Sequence, residues 1–235
     1  MNLCVSILQI WLVLAQSLPL GGIPVGSLTP TTVTYASNFC QTSGSSPVGC
    51  LLNSTPTAGQ AVEISYMFFG TSLTISSVSD GGSTYVQEGT YLNGTSFGSG
   101  MIYTCNYAGS SSTVTLTFTG PSTLYLSGVV ATGNRTSGCV DGYNKAQGTS
   151  TGTAWTSGTV TTTNPHDMLI GSGTNDCASS GLTAGVDGQG NSYTLRASNA
   201  NAIGVETLNE VATNTYSASM TGPSCIWNME VMAIR

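Results

Sequence analysis

The sequence predicts an all-β protein: an antiparallel two-sheet β-sandwich of jelly-roll type, stapled by disulfides. Three observations lead there. Period-2 hydrophobic patterns recur at the spacing typical of sandwiches, broken by Gly, Asn, Asp and Ser clusters. No long segment carries the 3.6-residue period of an amphipathic helix. Six cysteines beyond Cys4, namely Cys40, Cys50, Cys105, Cys139, Cys177 and Cys225, are scattered without any C-x-x-C pair, and the chain has one histidine. Zinc sites need close ligand pairs, so disulfides are the better reading. Cys40–Cys50, closing "CQTSGSSPVGC", is the expected local pair, and the other four stay unassigned.

The strands follow in order. "TVTYAS" opens the series at Thr32. In "QAVEISYMFFG", Ala61, Glu63 and Ser65 alternate with Val62, Ile64 and Tyr66. "SLTISSVSD" breaks at "DGGS", a strong turn signal. "STYVQEG" and "MIYTCNYAG" come next. "STVTLTFTG" is the clearest strand: Val114, Leu116 and Phe118 face a core, and Thr113, Thr115, Thr117 and Thr119 face water. "TLYLSGVVA", "SGTVTTT", "DMLIGSG", "SYTLRAS" and "TYSASM" continue it. In the closing "CIWNMEVMAIR", Trp227, Met229, Val231 and Ala233 share a face and Glu230 lies opposite. "GVETLNEVA" has room for one short turn of helix. There is no internal repeat, which argues against a propeller or solenoid.

Composition narrows the function classes. Of 235 residues only 6% are charged, about a quarter of the usual share. Four basic against ten acidic residues give a net charge of −6. No basic stripe is present for phosphate neutralisation, which excludes a nucleic-acid partner. A mean hydropathy of +0.15 argues against disorder. So few lysines also leave strand edges without their usual charged guard, which favours self-association.

Three spans organise the chain. Residues 1–15 contain an apolar run, Leu3 to Leu14, too short to span a bilayer. They read either as a secretory signal peptide, with Val13 and Ala15 before the cleavage point, or as a retained apolar segment used in assembly. Residues 16–30, "QSLPLGGIPVGSLTP", form a Pro/Gly-rich lead-in or donated strand. Residues 31–235 form a single sandwich domain. Secretion and disulfides agree. Sequons at Asn53, Asn93 and Asn134 are candidate glycan acceptors in turn-like contexts.

Catalytic candidates are weak. His166 and Asp167 sit in "TTTNPHD"; strand neighbours point to opposite faces, so the pair reads as a hairpin corner. No G-x-S-x-G elbow is present. Glu206 and Glu210 would share a face if helical. Glu63, Glu88 and Glu230 lie in strand patterns without the pairing a glycosidase needs. No cofactor is expected. A structural calcium fits "DGQGN" (Asp187 to Asn191), "DGYN" (Asp141 to Asn144) or Asp80, although Asx-rich turns need no metal. Trp155, Tyr91, Tyr103 or Tyr107 could stack on sugar rings if exposed.

Several segments together resemble a domain recurrent in secreted bacterial proteins, mostly uncharacterised. They are "ISSVSDGGSTYVQEG", "MIYTCNYAGSSSTVTLTFTG", "SGTVTTTNPHDMLIGSG", "SYTLRAS", "VETLNEVATNTYSASM" and "CIWNMEVMAI", in order over about residues 60–235. The resemblance implies a β-sandwich found in extracellular or cell-surface chains, often beside adhesion-like modules, and carries no catalytic residues. The chain departs from that pattern at "LYLSGVVATGNRTSGCVDGYNK" and in its six cysteines.

The expected function is therefore non-enzymatic: an extracellular structural or adhesion protein, a self-associating subunit of a surface filament or matrix. A carbohydrate-binding module with an aromatic platform, taking polysaccharide, is the second reading. A glycoside hydrolase with an undisclosed site is the third.

Overall fold

The computed structural model describes residues 32–93, 97–177, 181–199, 202–209 and 212–235, without the side chains of 149–151. Residues 1–31, with Cys4, the apolar run and the lead-in, lie outside it, as does Glu210. In chain order the strands are β1 (Thr34–Gly44), β2 (Val48–Leu51), β3 (Ala61–Phe69), β4 (Thr74–Ser79), β5 (Val86–Gln87) and β6 (Tyr91–Asn93). Then come β7 (Phe97–Thr104), β8 (Thr113–Thr119), β9 (Leu124–Thr132), β10 (Val140–Thr156), β11 (Val160–Thr161) and β12 (Met168–Asn175). β13 (Thr183–Ala184), β14 (Thr194–Asn199), β15 (Ile203–Asn209), β16 (Thr215–Tyr216) and β17 (Ser219–Ile234) complete the series. Among the described residues there is no helix.

Two six-stranded sheets face each other. The central sheet runs β1-β9-β3-β7-β5, with β6 also on β7, and the back sheet runs β10-β17-β12-β15-β14, with β13 on β17. The strand pairs of both sheets are antiparallel. A jelly roll would weave both halves of the chain through both sheets. Here each sheet is built from one half, so the sandwich part of the expectation holds and the jelly-roll connectivity does not.

The layering also goes beyond two sheets. A three-stranded sheet, β2-β8-β4, covers the far face of the central sheet. It buries Val48, Cys50, Val114, Leu116 and Phe118 against Val62, Ile64, Tyr66 and Phe68. The other face of the central sheet packs Ala61, Met101, Val129 and Ala131 against Met168, Ile170, Val205, Met232 and Ile234 of the back sheet. Each such side chain contributes about 1.5–3 kcal/mol on burial. The outer face of the back sheet buries Leu169, Met229, Val231 and Ala233 beneath Trp155, Tyr216, Ala218 and Met220.

Strand β3 is therefore buried continuously from Ala61 to Phe68. Its alternation separates two interiors rather than a core from water. Strand β8 shows the expected alternation: Val114, Leu116 and Phe118 are buried, Thr113, Thr115 and Thr117 half-buried and Thr119 exposed. The described part of "GVETLNEVA", up to Asn209, falls on strand β15 rather than a helical turn, and Glu210 and Val211 lie outside the described residues. Its β-branched residues meet a waiting partner, with Val205 opposite Ser172 of β12, and tertiary pairing outweighs the local spacing.

Three disulfides staple the layers: Cys40–Cys50, Cys105–Cys139 and Cys177–Cys225. Such bonds persist in oxidising compartments. The first ties β1 of the central sheet to β2 of the covering sheet. Gly128 makes room for this bridge, since a Cβ there would lie 3.2 Å from Cys40 Sγ and 2.6 Å from the Glu63 carbonyl.

The two flanks of the sandwich close differently. On one, edge strands β1 and β14 pack together. Ser198 N–H donates to Gln41 Oε1 at 3.2 Å, and Asn199 Nδ2 donates to the Thr42 carbonyl. On the other, the short strands β5 and β6 end the central sheet, and the 17-residue β10 ends the back sheet.

Candidate functional site on the open flank

The second flank is where polar chemistry collects. Gly89, at φ +94°, separates β5 from β6, so the central sheet ends in two fragments rather than one long edge. Strand β10 carries register shifts at Val140/Gly142, Gly148/Gly152 and Gly152/Ala154, the bulges expected of a managed edge. Glu88, Tyr91, Tyr103, Tyr143 and Lys145 are half-buried along this mouth.

Behind them lies a buried polar cluster. Glu63 comes from the central sheet and Glu230 from the back sheet, 2% and 1% exposed. Ser65 Oγ donates to Glu63 Oε1 at 2.5 Å, and Glu63 Oε2 has no hydrogen-bond partner. Glu230 bridges the sheets: Ser99 Oγ of β7 donates to its Oε1 at 2.6 Å, and the Tyr143 hydroxyl donates to its Oε2. Asn228 Nδ2 donates to Ser99 Oγ at 3.0 Å and to the Tyr91 carbonyl at 3.1 Å. Asn93 Nδ2 donates to the carbonyls of Gly148 and Trp227 at 3.2 and 2.9 Å.

Burial pushes the Glu63 carboxyl well above the usual carboxylate range; the Ser65 hydrogen bond opposes this and the Glu230 charge adds to it. Burial also raises Glu230, against the opposing effects of Ser99, Tyr143 and Lys145. Tyr143 is raised by burial and then by Glu230. An unpaired carboxylate in an apolar interior is so costly that the neutral form is kept instead.

At the lower end of the mouth lies a shallow cleft of about 340 Å³, lined by Val86, Tyr103, Thr104, Asn106 and Thr136 among others. Its lining offers hydroxyls, an amide and a tyrosine ring, and no carboxylate or imidazole. The Tyr103 hydroxyl is hydrogen-bonded to Glu88, and burial, followed by that carboxylate, raises its pKa. A glycosidase presents two carboxyls to substrate across a cleft. Glu63 and Glu230 face each other, but inside the protein.

The other residues singled out in the sequence are dispersed. His166 is half-buried at φ 70°, and its carbonyl accepts the Val33 N–H at 3.0 Å. It turns a corner between β11, which pairs with β16, and β12 of the back sheet, so this is not a hairpin. Asp167 is buried beside it. Glu206 is fully buried on the outer side of the back sheet, where it accepts the Gly185 N–H at 3.2 Å.

The calcium candidates are turns saturated with donors. Asp187 accepts Gln189 N–H, Asn191 N–H and Asn191 Nδ2, and Asp80 accepts Gly82 N–H, Ser83 N–H and the hydroxyls of Ser83 and Tyr85. Asp141 accepts the Thr163 amide and hydroxyl and pairs with Arg235 at 2.9 Å. Asp176 lies beside Cys177 and Cys225, but those sulfurs are bonded to each other.

Among the aromatics, Trp155 and Tyr107 are buried, so neither can serve as a stacking platform. Tyr91 lies beneath Lys145, whose Nζ is 4.4 Å from the ring centroid. Tyr103 alone of the four lines the cleft. Asn53 is exposed, whereas Asn93 is 4% exposed and the Asn134 amide donates to the carbonyls of Gly59, Cys105 and Arg135.

The buried cluster was not read from the sequence. Glu63 and Glu230 are far apart in the chain, and only the packing of the two sheets that hold β3 and β17 face to face brings them together. No protein-family model, curated protein or solved structure matches the chain.

Proposed function

We propose that the protein is a non-enzymatic extracellular structural or adhesion domain that associates with copies of itself through the open flank. The observation that carries this reading is β10, a 17-residue strand that, among the described residues, has no strand beyond it in its sheet. It holds one cation, Lys145, and that side chain rests on Tyr91. An edge with so little charge is a template for strand addition. Three disulfides support secretion, and the resemblance to secreted bacterial domains points the same way. The apolar residues 16–30 supply a strand for a neighbour's flank.

Electron microscopy and sedimentation of the native secreted protein test this. Filaments or concentration-dependent oligomers are expected, lost when Thr153→Lys places a charge on β10 or when residues 16–30 are deleted. Monomers at every concentration would overturn the reading.

The cleft supports a second reading, as a site for neutral carbohydrate. The Tyr103 ring, the exposed Val86 and the surrounding hydroxyls match a sugar's apolar and polar faces. A glycan array with hits lost in Tyr103→Ala is the expected outcome; an array without hits sinks it.

A further inference from the structure

The sandwich has one flank sewn by amides and an arginine and one closed over two buried acids. Among the described residues, Glu230 is the only side chain there that receives hydrogen bonds from both sheets, from Ser99 on one side and Tyr143 on the other. Glu63 faces it from β3 with one oxygen unpartnered. We propose that this flank is a proton latch: with Glu63 and Glu230 both protonated the two sheets are tied together, and loss of the second proton releases β5 and β6 from β10.

The charge balance makes the second proton decisive. The titratable groups facing the pair are Tyr66 of β3, Glu88 after β5, Tyr91 of β6, Tyr103 of β7, and Tyr143 and Lys145 of β10. Lys145 is the single cation among them. Arg235 is paired with Asp141, Arg196 lies over Tyr35 and Arg135 reaches Asn164. One carboxylate can therefore be balanced by Lys145, and a second has only like charge beside it. Separating the sheets at the flank lets water solvate it.

Little resists that separation locally. The ties across the mouth are the Glu230 bridge, the two Asn93 bonds and the Asn228 bonds to Tyr91 and Ser99, while β5 and β6 contribute five residues of ladder in total. The direction follows from proton number. The closed flank holds protons that the open flank has released, so opening is favoured as pH rises above the ordinary carboxylate range. Acid holds the latch shut.

The latch is independent of self-association, because it is read on dilute monomer. Amide hydrogen exchange of the native protein, corrected for base catalysis, is followed from acid into alkaline pH, since a raised carboxyl releases its proton above the ordinary carboxylate range. In β6 and β10 the opening equilibrium should rise with pH, by up to about tenfold per unit for one coupled proton. In β1 and β14 it should stay flat. Glu63→Gln should abolish the slope in β6 and β10. Lys145→Met, which keeps both acids, should move the release to lower pH and serves as the decisive variant if Glu63→Gln does not fold. A flat flank in the wild type, an equal slope at β1 and β14, or no shift in Lys145→Met would each overturn the latch.

Discussion

The two flanks of this sandwich answer the same problem with opposite materials. Both must close a gap between sheet edges, where backbone and side-chain polar groups meet water. The β1–β14 flank uses neutral amides and an arginine: Gln41 and Asn199 reach backbone partners across the seam, and Arg196 lies 4.2 Å above the Tyr35 ring. The β5/β6–β10 flank uses acids. There the bonds to Glu230 stand beside the amide bonds of Asn93 and Asn228, and the strength of the Glu230 bonds depends on where a proton sits. A seam of amides holds at any pH, whereas a seam with two buried carboxyls holds only while at least one of them keeps its proton. That difference in chemistry makes one flank static and the other responsive.

The largest test of this contrast uses the disulfides. Cys105–Cys139 links the strand leaving the central sheet to the start of β10, with a sequence separation of 34. Cys40–Cys50 ties β1 to the covering sheet with a separation of 10. Loop-closure entropy gives about 3.8 kcal/mol for the longer loop and about 2.7 for the shorter. Replacing both cysteines of each pair by serine and measuring urea unfolding should reproduce that order. If the Cys40–Cys50 variant lost more, the open flank would not be the one that most needs a covalent anchor.

A third buried acid sharpens the comparison because it belongs to neither flank. Burial raises Glu206 to about 8, against the opposing effect of the Gly185 and Ser219 amides. Its folded pKa lies above its unfolded one. The stability it contributes is therefore full below about pH 4.5 and lost as pH rises to about 8. Glu206→Gln should leave acid stability nearly unchanged and stabilise the protein at about pH 9 by a few kcal/mol. Thermal denaturation across pH checks this. Hydrogen exchange in β6 and β10 should keep its pH slope in the same variant. Loss of that slope would mean that global unfolding, not the flank, had been observed.

How much of this was legible in the sequence depends on what faces each strand. β8 has water on one side, so its Thr alternation could be read directly. β3 has protein on both sides; Glu63 and Ser65 look like a wet face and are an interior polar layer. β10 was missed altogether. Gly142, Gly148 and Gly152, with the Ser and Thr around them, carry no alternation, because an edge strand with bulges has no fixed inner and outer face. Cys40–Cys50 was within reach as a local pair, whereas Cys105–Cys139 and Cys177–Cys225 join segments that only the sheets bring close. The Glu63–Glu230 pair has the same origin. Its members were visible as strand carboxylates, but no spacing in the chain encodes their meeting.

The smallest expected effect separates the flanks by their cations. Arg196 over Tyr35 and Lys145 over Tyr91 are alike in geometry, at 4.2 and 4.4 Å, and each partly exposed pair is worth about 0.5–1 kcal/mol. Arg196 also donates Nε–H to Thr207 Oγ1 at 2.8 Å, so Arg196→Ala should cost about 1 kcal/mol at every pH. Lys145→Met should cost about 0.5 kcal/mol or less in acid, where protonation of Glu230 is favoured by its burial and the ring contact is the main loss. Above neutral pH its cost should grow, because Glu230 then loses its one nearby positive charge. Chemical denaturation of both variants at about pH 5 and about pH 8, within the carboxyl titration range, reads the difference. Equal costs at both values for Lys145→Met would mean that the lysine is only packing, and the acids on that flank would have to be balanced by something other than charge.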